Sequence, residues 1–149
     1  EGAAAVQAVS GPLTLHTISP QRYVDTRFDG GGPFPPQGST GGAFIFDFGL
    51  PDYFEGGVPN EVPPDALAVT FNVTVTSGTS GGNLRAFPAD SAVIPLVANV
   101  NWSTGQTVGN FAIVAAASGG DFSTSVAFHN ASTRGSVHVI VDIFGYFSS

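Results

Sequence analysis

The sequence predicts an all-β protein: a two-sheet β-sandwich, jelly-roll-like, of about seven to nine short strands. Three observations predict it. Apolar residues alternate with a period of two in several separate runs, most clearly at 66–77 and 136–147. Gly (20) and Pro (11) punctuate the chain between those runs, and no run keeps a helical period. Finally, 42% of residues are hydrophobic and 13 are Phe, which is enough to fill a core between two sheets.

Taken in order, residues 1–19 are nearly uncharged. Ala4, Val6 and Ala8 alternate, then Leu13 and Leu15, with Gly11-Pro12 dividing the stretch in two. A short strand at 22–26 leads into a Gly- and Pro-rich loop at 30–42. In 43–49, Phe44, Phe46 and Phe48 alternate with Ile45 and Asp47, giving one aromatic face. A second long loop ends at Pro63-Pro64. In 66–77, Val69, Phe71, Val73 and Val75 point one way, and Thr70, Asn72, Thr74 and Thr76 the other. Both sets are rich in β-branched residues, so local propensity agrees with the pattern. Shorter strands are expected at 83–90, 96–102 and 110–116.

In 121–130, Phe122, Val126 and Phe128 share a face. In 136–147, Val137, Val139, Val141 and Ile143 share one face, and His138, Ile140, Asp142 and Phe144 the other. The last two strands are expected to pair as a hairpin, with Phe128 beside Val139, Val126 beside Val141 and His129 beside His138. The expected core is Phe44, Phe46, Val69, Phe71, Val73, Val126, Phe128, Val139, Val141 and Ile143.

Composition narrows the function. The chain has 11 Asp+Glu against 4 basic residues, all Arg, for a formal charge of -7. Nucleic acid needs a basic patch, and four scattered Arg do not make one. With no Cys there is no disulfide and no thiolate chemistry. With no Lys there is neither a Schiff base nor a Lys-based isopeptide brace. No apolar run approaches the ~20 residues of a membrane span. The chain opens on Glu1 and contains no Met, which is read as removal of a secretory signal, hence an extracellular or cell-surface location.

A carboxylate inside VIVDIFGYF is costly unless paired. Asp142 or Asp25 is therefore expected to pair with Arg22 or Arg27 and to tie the two ends of the domain together. Asp25 and Asp29 before the Gly30–Gly32 run resemble a calcium loop only loosely, because the spacing is not that of an EF-hand. His129 and His138 lack a third ligand for zinc. The Ser, His and Asp residues form no nucleophile signature. No catalytic residue, no metal and no cofactor is assigned, and the chain is not read as an enzyme. Asn72, Asn101 and Asn130 each open an Asn-x-Ser/Thr triplet, a pattern that also arises by chance in a Thr-rich chain. Tyr23, Tyr53, Trp102 and Tyr146 are either a sugar-stacking platform or ordinary core and edge aromatics.

Four ordered segments carry a resemblance: PQRYVDTR, VPPDALAVTFNVTVT, VANVNWSTGQTVGNFAIV and VHVIVDIFGYF, spanning about 20–147. Together they resemble a family of secreted and cell-surface β-domains of actinobacterial type. Its pattern runs Pro-x-Arg with Asp-Thr-Arg, then Asn-Val-Thr, then Val-Asp-x-x-Gly-Tyr-Phe. The resemblance implies a non-catalytic module, often repeated or attached to enzymes, with no assigned activity. This chain lacks the Cys pair that some relatives carry near 86–89 and 124–127.

The domain division that follows is 1–19 as an N-terminal extension and 20–149 as the β-domain. An apolar strand left free is an aggregation liability, so the extension must lie on a sheet edge, either its own or a neighbour's. Donation to a neighbour, with Val6, Ala8, Leu13 and Leu15 as the buried positions, would build a surface layer or filament from copies of the chain. The alternative within the chain is an ordinary first strand. The alternative function is a carbohydrate- or cell-wall-binding module, with cell-wall polysaccharide as partner.

Overall fold

The computed structural model describes residues 11–29, 32–36, 44–49, 60–119 and 122–149. Within them lie nine strands: β1 (Thr14–Asp25), β2 (Phe44–Asp47), β3 (Ala68–Thr76), β4 (Gly82–Pro88), β5 (Val100–Trp102), β6 (Val108–Ala115), β7 (Ala117–Gly119), β8 (Phe122–Asn130) and β9 (His138–Ser148). They form two antiparallel sheets packed face to face, a β-sandwich. The first sheet has the order β1-β9-β3-β6 and the second β2-β8-β4-β5, with β7 also pairing β8.

The alternating runs set the core. Val69, Phe71, Val73, Val126, Phe128, Val139, Val141 and Ile143 are all fully buried. Phe71 and Phe128 approach across the sheets with ring centroids 5.5 Å apart. Phe34, Phe48, Leu84 and Trp102 join the same cluster. Two expected core residues sit differently. Phe46 is only partly buried against the cluster, and Phe44 is 37% exposed at the rim. Both lie on β2, a short strand at the end of the order of described strands in its sheet.

The expected hairpin is not formed. β8 pairs with β2, β4 and β7, whereas β9 pairs with β1 and β3. The apolar faces of the two strands meet across the core instead of side by side. Period-two alternation says which face of a strand is apolar; it does not say whether the partner lies beside it or opposite. The buried Asn130 side chain shapes the arch between them. Its amide donates to the carbonyls of Phe34 (3.2 Å) and Gly135 (3.4 Å), and its oxygen accepts the Ser132 N–H (3.0 Å).

The boundary expected between residues 19 and 20 falls inside β1. Thr14, Leu15, His16 and Thr17 pair with Ser148, Phe147, Tyr146 and Gly145 of the same chain. Pro20 does not end the strand because it lies in a register shift between Thr17 and Gln21, on an edge, where its missing N–H breaks no ladder bond. His16 stacks on Tyr146 at 4.8 Å and meets the Ser148 hydroxyl at 2.9 Å. Gly145 allows the close approach of the two strands, since a Cβ there would lie 2.5 Å from the His16 carbonyl oxygen. The strand expected at 96–102 shortens to β5. Leu96 is 92% exposed, and the Asn99 side chain takes the Ala86 N–H at 2.7 Å.

Candidate functional site

The chain segment after β1 folds into a compact turn. The Asp25 carbonyl accepts the N–H groups of Phe28 (2.9 Å) and Asp29 (3.0 Å). The Asp29 carboxylate in turn accepts the Asp25 N–H at 2.6 Å. The Asp25 carboxylate, whose side chain is 2% exposed, receives a fork from the Arg27 guanidinium at 2.8 and 2.6 Å. Arg22 reaches the same carboxylate at 3.4 Å and forks onto Asp142 at 2.9 and 3.2 Å. Thr26 fastens the turn to β9: its N–H donates to the Val139 carbonyl, and its hydroxyl accepts the Val139 N–H and meets His138 Nδ1.

Arg22, Asp25, Arg27 and Asp142 thus form one chain of ion pairs joining β1 to β9. The apolar run VIVDIFGYF predicts a buried Asp142, but the buried carboxylate is Asp25; the Asp142 side chain is 25% exposed. The physical reason is that Asp142 lies on the outward face of β9, while Asp25 is folded beneath its own turn. Hydrogen bonds from Arg27 hold the Asp25 carboxyl below the usual carboxylate range. Bonding to Asp142 raises Arg22, and bonding to Asp25 raises Arg27. Both carboxylates are taken up by guanidinium groups, so the cluster is a structural cross-tie.

Beside this turn lies an open cleft of about 400 Å³ between the β1 and β2 edges of the sandwich. Phe34, Phe44 and Phe46 line it, with Thr26 and Asp29 at its polar end. Phe34 stacks on Phe44 at 4.3 Å. The Tyr23 hydroxyl donates to the Asp47 carbonyl at 2.7 Å and closes the base. No sequence signal pointed to this cleft. Phe34 sits in a Gly/Pro-rich stretch with no period, and it is the bridge to Val137 and the Asn130 amide on its carbonyl that bring it here.

A second surface is the outward face of the first sheet. The register places Leu15, Phe147, Ala68 and Ala115 in one row across it, and Thr17, Gly145, Thr70 and Ile113 in the next. Arg22, Asp142, Asn72 and Phe111 form a further row. Phe111 is 61% exposed, Ile113 59% and Leu15 49%. Phe111 and Phe144 approach with centroids 6.5 Å apart. Apart from the Arg22–Asp142 pair these rows carry no charge. The strand at 110–116 was legible as a strand, but its run is apolar on both faces. Alternation therefore did not tell which side would be left in water.

Of the four positions assigned to self-association, Leu13 and Leu15 are exposed, on and just before β1. Val6 and Ala8 lie outside the described residues. Among the described residues, Tyr23, Trp102 and Tyr146 do not come together as an aromatic platform. Trp102 is buried, its indole N–H donating to the Ser80 carbonyl at 2.9 Å, and its ring packs where a Gly78 or Gly82 side chain would stand. Tyr23 is buried, Tyr146 stacks on His16, and Tyr53 lies outside the described residues.

His129 and His138 stand on different sheets. His129 is buried, and among the described residues its Nδ1 has no hydrogen-bond partner. Burial, with the Arg85 charge nearby, lowers its pKa. Asn130 is 3% exposed and engaged in the arch, so its amide is not open to a glycan in the folded state. Among the described residues, no three His, Asp or Glu side chains group to hold a metal ion. None of the described residues forms a helix long and apolar enough to cross a membrane. No family model, no curated protein and no solved structure matches the chain.

Proposed function

We propose that the protein is a secreted, non-catalytic structural subunit whose copies associate through sheet edges and the N-terminal segment into a surface layer or filament. The observation that carries this reading is the outward face of the first sheet, where Leu15, Phe111 and Ile113 are each about half exposed or more and the Arg22–Asp142 pair is the one charged feature of the three rows. Contiguous apolar patches on a soluble domain mark association surfaces more often than ornament. The resemblance to secreted β-domains, the absence of Cys and Lys, and the nearly uncharged residues 1–13 agree with it. Sedimentation of the native protein across a wide concentration range tests it. Species larger than the monomer, lost on Leu15→Glu or Phe111→Glu, are expected; a monomer at every concentration overturns the reading.

The aromatic cleft favours a second reading, a carbohydrate-binding module. Stacked Phe34 and Phe44 beside Asp29 offer an apolar floor with an acceptor at one end. Titration with soluble cell-wall polysaccharide tests it: binding abolished by Phe44→Ala supports this second reading, and no heat or chemical-shift change excludes it.

A further inference from the structure

The first sheet has two edges, and they are not equivalent. β1 has two register shifts, between Thr17 and Gln21 and between Arg22 and Val24, carries Pro20, and ends in the Arg22–Asp25–Arg27 cluster. Bulges, Pro and charge are the devices that keep an edge from pairing with another chain. β6 has none of them. It is VGNFAIVA, 8 residues without charge or Pro. Its register to β3 runs without a break from Val108 to Ala115. The backbone groups of those residues that point away from β3 take no hydrogen bond from any other described loop or turn. An uninterrupted, uncharged edge of this length is a template for a further strand.

We propose that β6 is the acceptor edge, and that its occupant is residues 3–10 of a second copy. This rests on the self-association reading and names both partners of the contact. The segment AAAVQAVS has the same length as β6 and, like it, no charge and no Pro. On the outward face, cross-strand neighbours touch on the same side of a sheet. Val6 and Ala8 would there cover Phe111 and Ile113, the two most exposed apolar side chains of β6, while Gln7 would fall on the side of Asn110.

Chain length requires the copy to be a second one. In the order β1-β9-β3-β6, a strand added beyond β6 lies four spacings from β1, about 19 Å at ~4.8 Å each. Ser10 and Thr14 are four residues apart, which spans at most about 14 Å fully extended. If residues 3–10 pair along the whole of β6, their own β1 is out of reach. Donor and acceptor are then different surfaces of the same molecule. Such a contact is heterologous and grows into open chains instead of closing as a dimer.

The experiment uses full-length point variants and analytical sedimentation, with circular dichroism melting as the check that each variant is folded. Val6→Asp damages the donor and leaves the edge intact. Ile113→Lys damages the edge and leaves the donor intact; Phe111→Lys serves if Ile113→Lys fails to fold. Each variant alone is expected to sediment as a monomer with native-like melting. Mixed in equal amounts, Val6→Asp and Ile113→Lys chains are expected to form dimers and nothing larger, because one good donor meets one good edge.

A mixture that stays monomeric overturns the proposal. If Val6→Asp is monomeric while Ile113→Lys still assembles, the acceptor is not β6, although strand donation itself survives. If Ile113→Lys is monomeric while Val6→Asp still assembles, the donor is not residues 3–10. If the unmodified protein never associates, the underlying reading fails together with this one.

Discussion

β1 and β6 border the same sheet, and their difference separates two ways of ending it. β1 is stitched to β9 by ladder bonds, by His16 on Tyr146 and by the Arg22–Asp142 pair, and it is bent twice along its length. β6 keeps one unbroken register to β3, carries apolar residues on both faces, and pairs with no other described strand on its outer side. The lesson is that an edge is protected by interruptions to its pattern. The same alternation that makes a good inner strand makes an edge receptive. Phe71 and Phe111 show the contrast within two neighbouring strands: one side chain is fully buried and the other is 61% exposed.

The largest expected effect lies on the buried side of that contrast. Phe71→Ala should lower stability by about 3–5 kcal/mol, since it leaves a cavity against Phe48 and Phe128. Urea unfolding checks it, and an unchanged midpoint would mean the face assignment is wrong.

Next comes the tie between β1 and β9. Gly145→Ala should cost about 1–3 kcal/mol, because the new methyl meets the His16 carbonyl and forces β1 outward. Faster amide exchange confined to 14–17 would show that only this half of the edge loosens. The two ion pairs should rank by burial. Asp25→Asn is expected to lower the melting temperature more than Asp142→Asn, because Asp25 is 1% exposed and serves both Arg side chains and the Arg27 N–H. Equal losses would remove the distinction drawn between them.

Acid should weaken the fold in two stages. His129 is held below its ordinary pKa by burial. As pH falls below the ordinary His value toward the lowered one, the unfolded chain takes up a proton that the folded chain refuses, so stability drops. His129→Gln should flatten that stage. Asp25 has a lowered pKa too, because of Arg27. Its contribution is complete above the ordinary Asp value and is lost as pH falls through the lower folded value. Urea midpoints measured from neutral to strongly acidic pH read both stages, and a flat profile would contradict both.

The smallest effect is expected at the open edge. Phe111→Ser should leave the stability of the dissociated protein within about 0.5 kcal/mol, as for an ordinary surface change. A larger loss would mean that β6 is covered within its own chain.

Much of the sandwich was legible because a strand with one buried face writes its orientation into alternate residues. Val69 through Val75 and Val137 through Ile143 did so, and all of these apolar positions are buried. The Arg and Asp residues near the ends of the domain were legible as partners because a carboxylate among apolar neighbours calls for a cation. The aromatic cleft was not legible. Its rings come from a loop and from the rim of a short edge strand, where no period marks them. The open face of β6 was not legible either, since a run apolar on both sides names no inner face.

The residues alone therefore determined the strand class, the apolar face of each clearly alternating strand and the need to neutralise two buried or half-buried carboxylates. These are local consequences of side-chain spacing and of the cost of burying charge. Only the tertiary structure decided which strands are neighbours. It placed β8 and β9 across the core instead of beside each other, ran β1 through Pro20, and put Asp25 rather than Asp142 under cover. The physical reason is that pairing between distant strands depends on how loops close and how two whole sheets fit. A period of two carries no record of either.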